Sequence, residues 1–229
     1  MRPALVLFDI DGTLLLSGRA GMRAMTRAFR DTFNIPNAFE GTHFGGRTDS
    51  FLVSHALQAA GLADTPDHHE RFKTGYLPLL AEEIQHQGTG YKGLMPGARE
   101  LLDALSDFPD VYLALLTGNY RDAAAIKLTH FEIGVYFEWG AFSDDSPDRN
   151  ALVPIARGRA ETYDVPAAAL ERIIVIGDTP HDIACAKCAG ARSIAVATGG
   201  YSMADLRAAG ADEVVADLSD TEAVISLLV

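Results

Sequence analysis

Ala4-Leu5-Val6-Leu7-Phe8-Asp9-Ile10-Asp11-Gly12-Thr13 is the stretch on which the fold turns. Five apolar residues in a row read as a strand buried on both faces, as in a parallel sheet covered by helices. The run ends in two acids two residues apart, and Gly12 then opens a turn. On a continuing strand Asp9 and Asp11 would share a face. The turn breaks that regularity, so the two carboxylates can serve different ends of one reacting group.

Four more segments read as strands: Tyr112 to Leu116, Ile173 to Ile176, Ser193 to Val196 and Glu213 to Val215. Helical patterns lie between them, at Pro96-Gly97 through Leu105 and over 152–163, 180–189 and 220–228. Strands alternating with helices from about residue 92 onward predict an α/β fold, a doubly wound and mainly parallel sheet. Residues 15–91 hold no convincing strand. Met22, Met25, Phe29 and Phe33 recur at helical spacing, as do Leu52, Val53, Ala56, Leu57 and Ala60. Phe72, Tyr76, Leu80 and Ile84 make a third stripe, which Pro78 is expected to kink. The chain therefore divides into an α/β core of residues 1–14 and 92–229 and an inserted α-helical cap of residues 15–91.

Lys and Arg number 19 against 31 Asp and Glu, a net charge of -12 over 229 residues. An acidic chain without a basic run repels nucleic acid. It also repels a phosphorylated small molecule, so any phosphate site has to build a local positive field from a metal, a cation and backbone N–H groups. Cys185 and Cys188 are too few for a disulfide framework or a four-ligand zinc site. No signal peptide and no long apolar stretch is seen, so the expected setting is the cytoplasm, with no membrane partner. Oligomeric state is not legible.

Three polar clusters follow strand ends: Asp9 to Thr13, Thr117-Gly118-Asn119, and Gly177-Asp178-Thr179-Pro180-His181-Asp182. Ligands of open α/β sheets bind beyond the carboxyl ends of the strands, so the clusters are expected to converge. Four carboxylates in one place repel unless a cation sits among them, and an oxygen-only donor set favours Mg²⁺. One of Asp9 and Asp11 would then meet metal and phosphorus while the other sits beside the leaving-group oxygen.

On these motifs the chain resembles the haloacid dehalogenase superfamily, in its phosphoglycolate-phosphatase-like branch. The resemblance implies a Mg²⁺-dependent hydrolase of a small-molecule phosphate monoester, acting through an aspartyl-phosphate. It implies Asp9 as nucleophile and Asp11 as general acid/base, with the Asp11 backbone carbonyl on the metal. Thr117 would bind phosphate, with Gly118 and Asn119 near it and with Gly12 and Thr13 of the first loop. Asp178 would be the acidic metal ligand and Asp182 its support. The family's usual Lys in the third motif aligns with Arg149, with Arg157 as a fallback; a guanidinium can do the same electrostatic work. Leu16 stands where relatives often carry an acid. The same scaffold also serves sugar-phosphate mutases and could persist as a non-catalytic binding protein.

In the insertion, Gly45-Gly46-Arg47-Thr48-Asp49 precedes a helix. It reads either as a loop with Thr48 or Asp49 as N-cap, or as a specificity loop in which Arg47 reaches a substrate anion. Cys185 and Cys188 read as small packing residues, His181 as a loop histidine, and Trp139 and Phe142 as packing groups. Asp144, Asp145 and Asp148 read as a solvated loop near the site, with a supporting contact to the metal shell as the alternative.

Overall fold

The computed structural model describes residues 2–228. The first strand β1 (Ala4–Phe8) is followed by a short β2 (Leu15–Ser17) and three helices, α1 (Ala20–Phe33), α2 (Asp49–Ala59) and α3 (Pro66–Glu83). Then come β3 (Lys92–Leu94), α4 (Ala98–Ser106), β4 (Val111–Leu116), α5 (Arg121–His130), β5 (Gly140–Ala141), α6 (Leu152–Ala160) and α7 (Ala167–Leu170). The chain ends in β6 (Ile173–Gly177), α8 (Pro180–Cys188), β7 (Arg192–Val196), α9 (Met203–Ala208), β8 (Glu213–Val215) and α10 (Thr221–Leu227).

Six strands form one parallel sheet in the order β5-β4-β1-β6-β7-β8. β1 lies at its centre, with Leu7 opposite Ala114 on one side and Val175 on the other. Its alternation serves two cores. Ala4, Val6 and Phe8 pack on the α4 side with Leu101, Leu105 and Leu128, while Leu5 and Leu7 face Leu152, Val153 and Ala156 of α6. Burial on both faces accounts for the unbroken apolar run. Among the described residues no helix is long and apolar enough to cross a membrane.

One sequence expectation is corrected. Residues 15–91 do contain a strand, β2, paired antiparallel with β3 through Leu15 and Leu94. Three residues are too few to show a period of two, and the pairing comes from a partner far along the chain. This ribbon carries the chain into and out of the helical segment. There α1 and α3 pack along each other, and Met25, Phe29, Leu52, Leu57, Phe72, Tyr76 and Leu80 form a third core, which Tyr120, just before α5, and Ala123 of α5 join. α3 continues through Pro78.

Candidate active site

β1 and β6 are neighbours in the sheet, so the turns that follow them lie side by side. They bring Asp9, Asp178 and Asp182 together, all three buried, with carboxylate oxygens within 4.8 Å of one another. The turn after β1 is fixed by Gly12, whose φ of +90° suits glycine. A Cβ there would also lie 2.4 Å from Asp178 Oδ2. Thr198, after β7, donates its hydroxyl to the Gly12 carbonyl at 2.5 Å. Thr13 donates to Asp178 Oδ1 at 3.3 Å. After β6, Thr179 caps α8 and Asp182 completes a capping box, its Oδ2 accepting from the Thr179 N–H and hydroxyl.

Arg149 enters from the turn before α6. It is buried, with Nη2 at 3.1 Å from Asp9 Oδ2 and 2.5 Å from Asp182 Oδ1. The third-motif alignment thus brings a cation to the cluster, whereas Arg157 is exposed on α6. One guanidinium does not neutralise three carboxylates. Burial pushes Asp9 up to about 6, with Asp182 and Asp11 adding to the rise and Arg149 opposing it. Burial likewise holds Asp178 well above the carboxylate range, with Asp182 and Asp9 adding. A buried all-oxygen donor set with this deficit of positive charge fits a hard divalent cation.

Asp11 turns away from the trio. Its Oδ2 accepts from Lys127 Nζ at 2.6 Å and from Asn119 Nδ2 at 2.8 Å. Lys127 is buried on α5 and also donates to Asn119 Oδ1 at 2.6 Å. Both donors hold one oxygen of Asp11, and no side chain among the described residues bonds the other. Sequence reading missed Lys127. In the fold Lys127 shares a buried stripe with Ala123, Ala124 and Leu128, an unusual place for a charge, but with exposed Ala125 beside them the stripe does not stand out in the sequence.

The other expected residues fall into two groups. Asp9, Asp11, Gly118, Asn119, Arg149, Asp178 and Arg47 line a cavity of about 430 Å³. Gly12, Thr13, Thr117 and Asp182 do not. The Gly12 N–H is taken by the Leu15 carbonyl, and the buried Thr117 hydroxyl accepts from Asn119 Nδ2 at 2.8 Å. In this structure these groups are held by neighbours within the fold.

The helical segment closes the cavity from above. The Asp49 N–H donates to the Gly118 carbonyl at 2.7 Å, the Ser50 N–H to Ser143 Oγ at 2.7 Å, and Thr48 Oγ1 to the Pro147 carbonyl at 2.8 Å. A Cβ on Gly118 would lie 2.2 Å from the Arg47 carbonyl, so this approach requires glycine. Thr48 is the N-cap of α2, accepting from the Phe51 N–H. Arg47 is exposed, its guanidinium 4.8 Å from the centre of the Phe51 ring. Asp49, read from sequence only as a possible cap, instead lines the cavity and accepts from the Tyr120 N–H at 2.8 Å. Burial raises it to about 7 against the pull of Lys127.

The weaker sequence signals find structural roles. Asp144 pairs with Lys73 and accepts from the Arg121 N–H, and Asp145 pairs with Arg159, so neither reaches the acid trio. Asp148 caps the turn at Arg149. Trp139 stacks on Tyr163 at 5.2 Å. Cys185 is buried and donates to the Asp182 carbonyl, while Cys188 is exposed.

The family model described as haloacid dehalogenase-like hydrolase matches residues 3–190. The chain is 29% identical over 204 residues to a phosphoglycolate phosphatase of Pseudomonas fluorescens, covering 86% of this chain and 70% of that one. It is 28% identical over 211 residues to the tyrosine-protein kinase PtkA of Mycobacterium tuberculosis, covering 89% of this chain and 65% of that one. The crystal structure of a hydrolase from Pseudomonas syringae superposes with a TM-score of 0.69 at 25% identity, over 99% of both chains.

Proposed function

The chain belongs to the haloacid dehalogenase-like hydrolases, and is thus an enzyme; from that membership we propose that it hydrolyses a small-molecule phosphate monoester through an aspartyl-phosphate on Asp9. The observation that carries the proposal is the split between two neighbouring acids. Asp9 lies in the buried trio against Arg149, while Asp11 is held apart by Lys127 and Asn119.

In this reading an oxygen of Asp9 attacks phosphorus in line, forming the acyl-phosphate bond as the ester P–O bond breaks. The departing alkoxide takes a proton from Asp11, whose free oxygen is the one not bonded by Lys127 and Asn119. Water then gives a proton back to Asp11 and its oxygen attacks phosphorus, which returns Asp9 as carboxylate and releases phosphate. Arg149 neutralises charge on Asp9 and the phosphoryl oxygens, and the Gly118-Asn119 turn lies alongside. Asp9 and Asp178, with Asp182 in support, would hold Mg²⁺, which supplies Lewis-acid charge neutralisation when bound. Residues 15–91 act as a cap that excludes bulk water during reaction and opens for product release. The setting is the cytoplasm, where Cys185 and Cys188 stay reduced.

A panel of metabolite phosphates, with released phosphate measured with Mg²⁺ and with a chelator, tests the proposal. Phosphate release that requires Mg²⁺ is expected, and 2-phosphoglycolate belongs in the panel because a relative bears its name. No release from any ester with Mg²⁺ present would remove the phosphatase reading. Conversion of a hexose 1-phosphate to its 6-phosphate, faster than phosphate release, would replace it with a mutase.

A further inference from the structure

The cavity has two chemically different ends. One is the acid trio with Arg149. The other lies on the Asp11 and Lys127 side, where Asp49 and Tyr76 neighbour those two groups and Met25 and Leu52 pack in one cluster with Tyr76, with Met22 also on the cavity wall. If phosphorus sits at Asp9 and the ester oxygen at Asp11, the alcohol part of the substrate occupies this second end.

We infer that the alcohol part is a small neutral polyol or sugar, bound through a hydroxyl to Asp49, and not a hydroxy acid such as glycolate. The inference rests on the phosphatase reading and deepens it. Asp49 is buried at the first turn of α2, and the Tyr120 N–H occupies its Oδ2. Its Oδ1 has no protein donor among the described residues, so a carboxylate oxygen on the cavity wall awaits one. The Tyr76 ring is buried and its hydroxyl likewise makes no hydrogen bond among the described residues. An acceptor and a hydroxyl set among Met22, Met25 and Leu52 match the alternating C–H and O–H surface of a polyol.

A carboxylate fits this end poorly. Lys127 is the buried cation there, and its ammonium is already engaged by Asp11 Oδ2 and Asn119 Oδ1, both at 2.6 Å. An incoming carboxylate would therefore be buried beside Asp49 with no free buried cation to pair it, and the loss of its hydration would go uncompensated. The cavity's remaining cations in the helical segment, Arg19 and Arg47, are exposed residues. Exposure to solvent screens their pull.

Two matched sets of esters test this, with kcat/KM read from released phosphate. Glycerol 3-phosphate, erythritol 4-phosphate and ribose 5-phosphate form the neutral set; 2-phosphoglycolate, 3-phosphoglycerate and phospholactate form the acid set. p-Nitrophenyl phosphate, which offers neither group, reports on the chemistry alone. The best neutral ester should exceed the best acid ester by about tenfold or more, as expected of a site built to bond a hydroxyl. Asp49→Asn should lower that ratio by about tenfold or more, because it weakens the acceptor for a hydroxyl and puts an amide donor within reach of a carboxylate. An acid ester preferred by the natural enzyme, or an unchanged ratio in Asp49→Asn with its unfolding transition intact, would overturn the inference while leaving the phosphatase reading standing. Hydrolysis of p-nitrophenyl phosphate with no preference between the sets would do the same. Inactivity toward all seven esters would take down both readings.

Discussion

Asp9, Asp11 and Asp178 reach the cavity from strand ends and the turns after them, whereas Asp49, Met25 and Tyr76 reach it from helices of the insertion. The first group is placed by backbone within a few residues. The parallel ladder sets β1 beside β6, Gly12 turns the chain, and the capping box at Thr179 and Asp182 holds α8. The second group is placed by packing between distant segments. It depends on α1 lying along α3 and on hydrogen bonds from Thr48, Asp49 and Ser50 to the loops after β4 and β5. On the proposed function, chemistry would be written into short rigid motifs and choice of substrate into tertiary contacts that tolerate change. Substitutions on the two sides should fail differently.

The largest effect is expected on the strand side. Asp9→Asn keeps shape and removes the nucleophile, so phosphate release should fall by roughly 10³-fold or more. The fold should survive, because burial already disfavours the Asp9 charge. Circular dichroism and a phosphate assay read the two quantities separately. Near-normal turnover would take Asp9 out of the mechanism, and loss of the fold would mean that the strand-end acids are structural after all.

Lys127 belongs to the sheet side by its helix but faces the insertion, so it sharpens the comparison. Lys127→Met removes the ammonium from Asp11 and leaves Asn119 as its remaining donor. A misaimed acid slows proton transfer to the leaving group, and kcat should drop by about 10²-fold with KM little changed. Lys127→Arg should recover part of the loss. A rise in KM with kcat intact would instead make Lys127 a contact for substrate, and would weaken the case that its charge is engaged by Asp11.

The unequal legibility of the two sides has the same origin. That Asp9, the β6 acids and Arg149 would meet could be read because each lies within a few residues of a buried strand or at a fixed motif spacing. Even there a sequence does not tell which face of a turn looks into the cavity, as with Gly12, Thr13 and Thr117, which do not line it. β2 was missed because its pairing with β3 is long-range. Lys127 and Asp49 were missed for a further reason. A lysine in an alanine-rich helix and an acid beside an N-cap threonine are ordinary surface patterns, and only packing of α2 and α5 against each other's neighbours turns both inward.

Asp49 supplies the smallest and most specific test, one of stability. In the unfolded chain its carboxyl titrates near 3.8, and in the fold near 7 because of burial. Below about pH 4 both states are protonated and the shift costs nothing. As pH rises from there to 7, the unfolded state ionises first, so stability falls through that window and levels off above it. The amide introduced by Asp49→Asn does not titrate, and its oxygen can still accept from the Tyr120 N–H. The difference in unfolding midpoint between Asp49→Asn and the natural protein should therefore grow in favour of the variant between pH 4 and 7, reaching several degrees. Asp9 and Asp178 titrate in both proteins and drop out of that difference. A gap that does not depend on pH would mean that Asp49 is solvated in the fold. A growing gap, together with weakened discrimination between neutral and acidic esters, would show an acid kept in the insertion at a cost to the fold because the substrate needs it there.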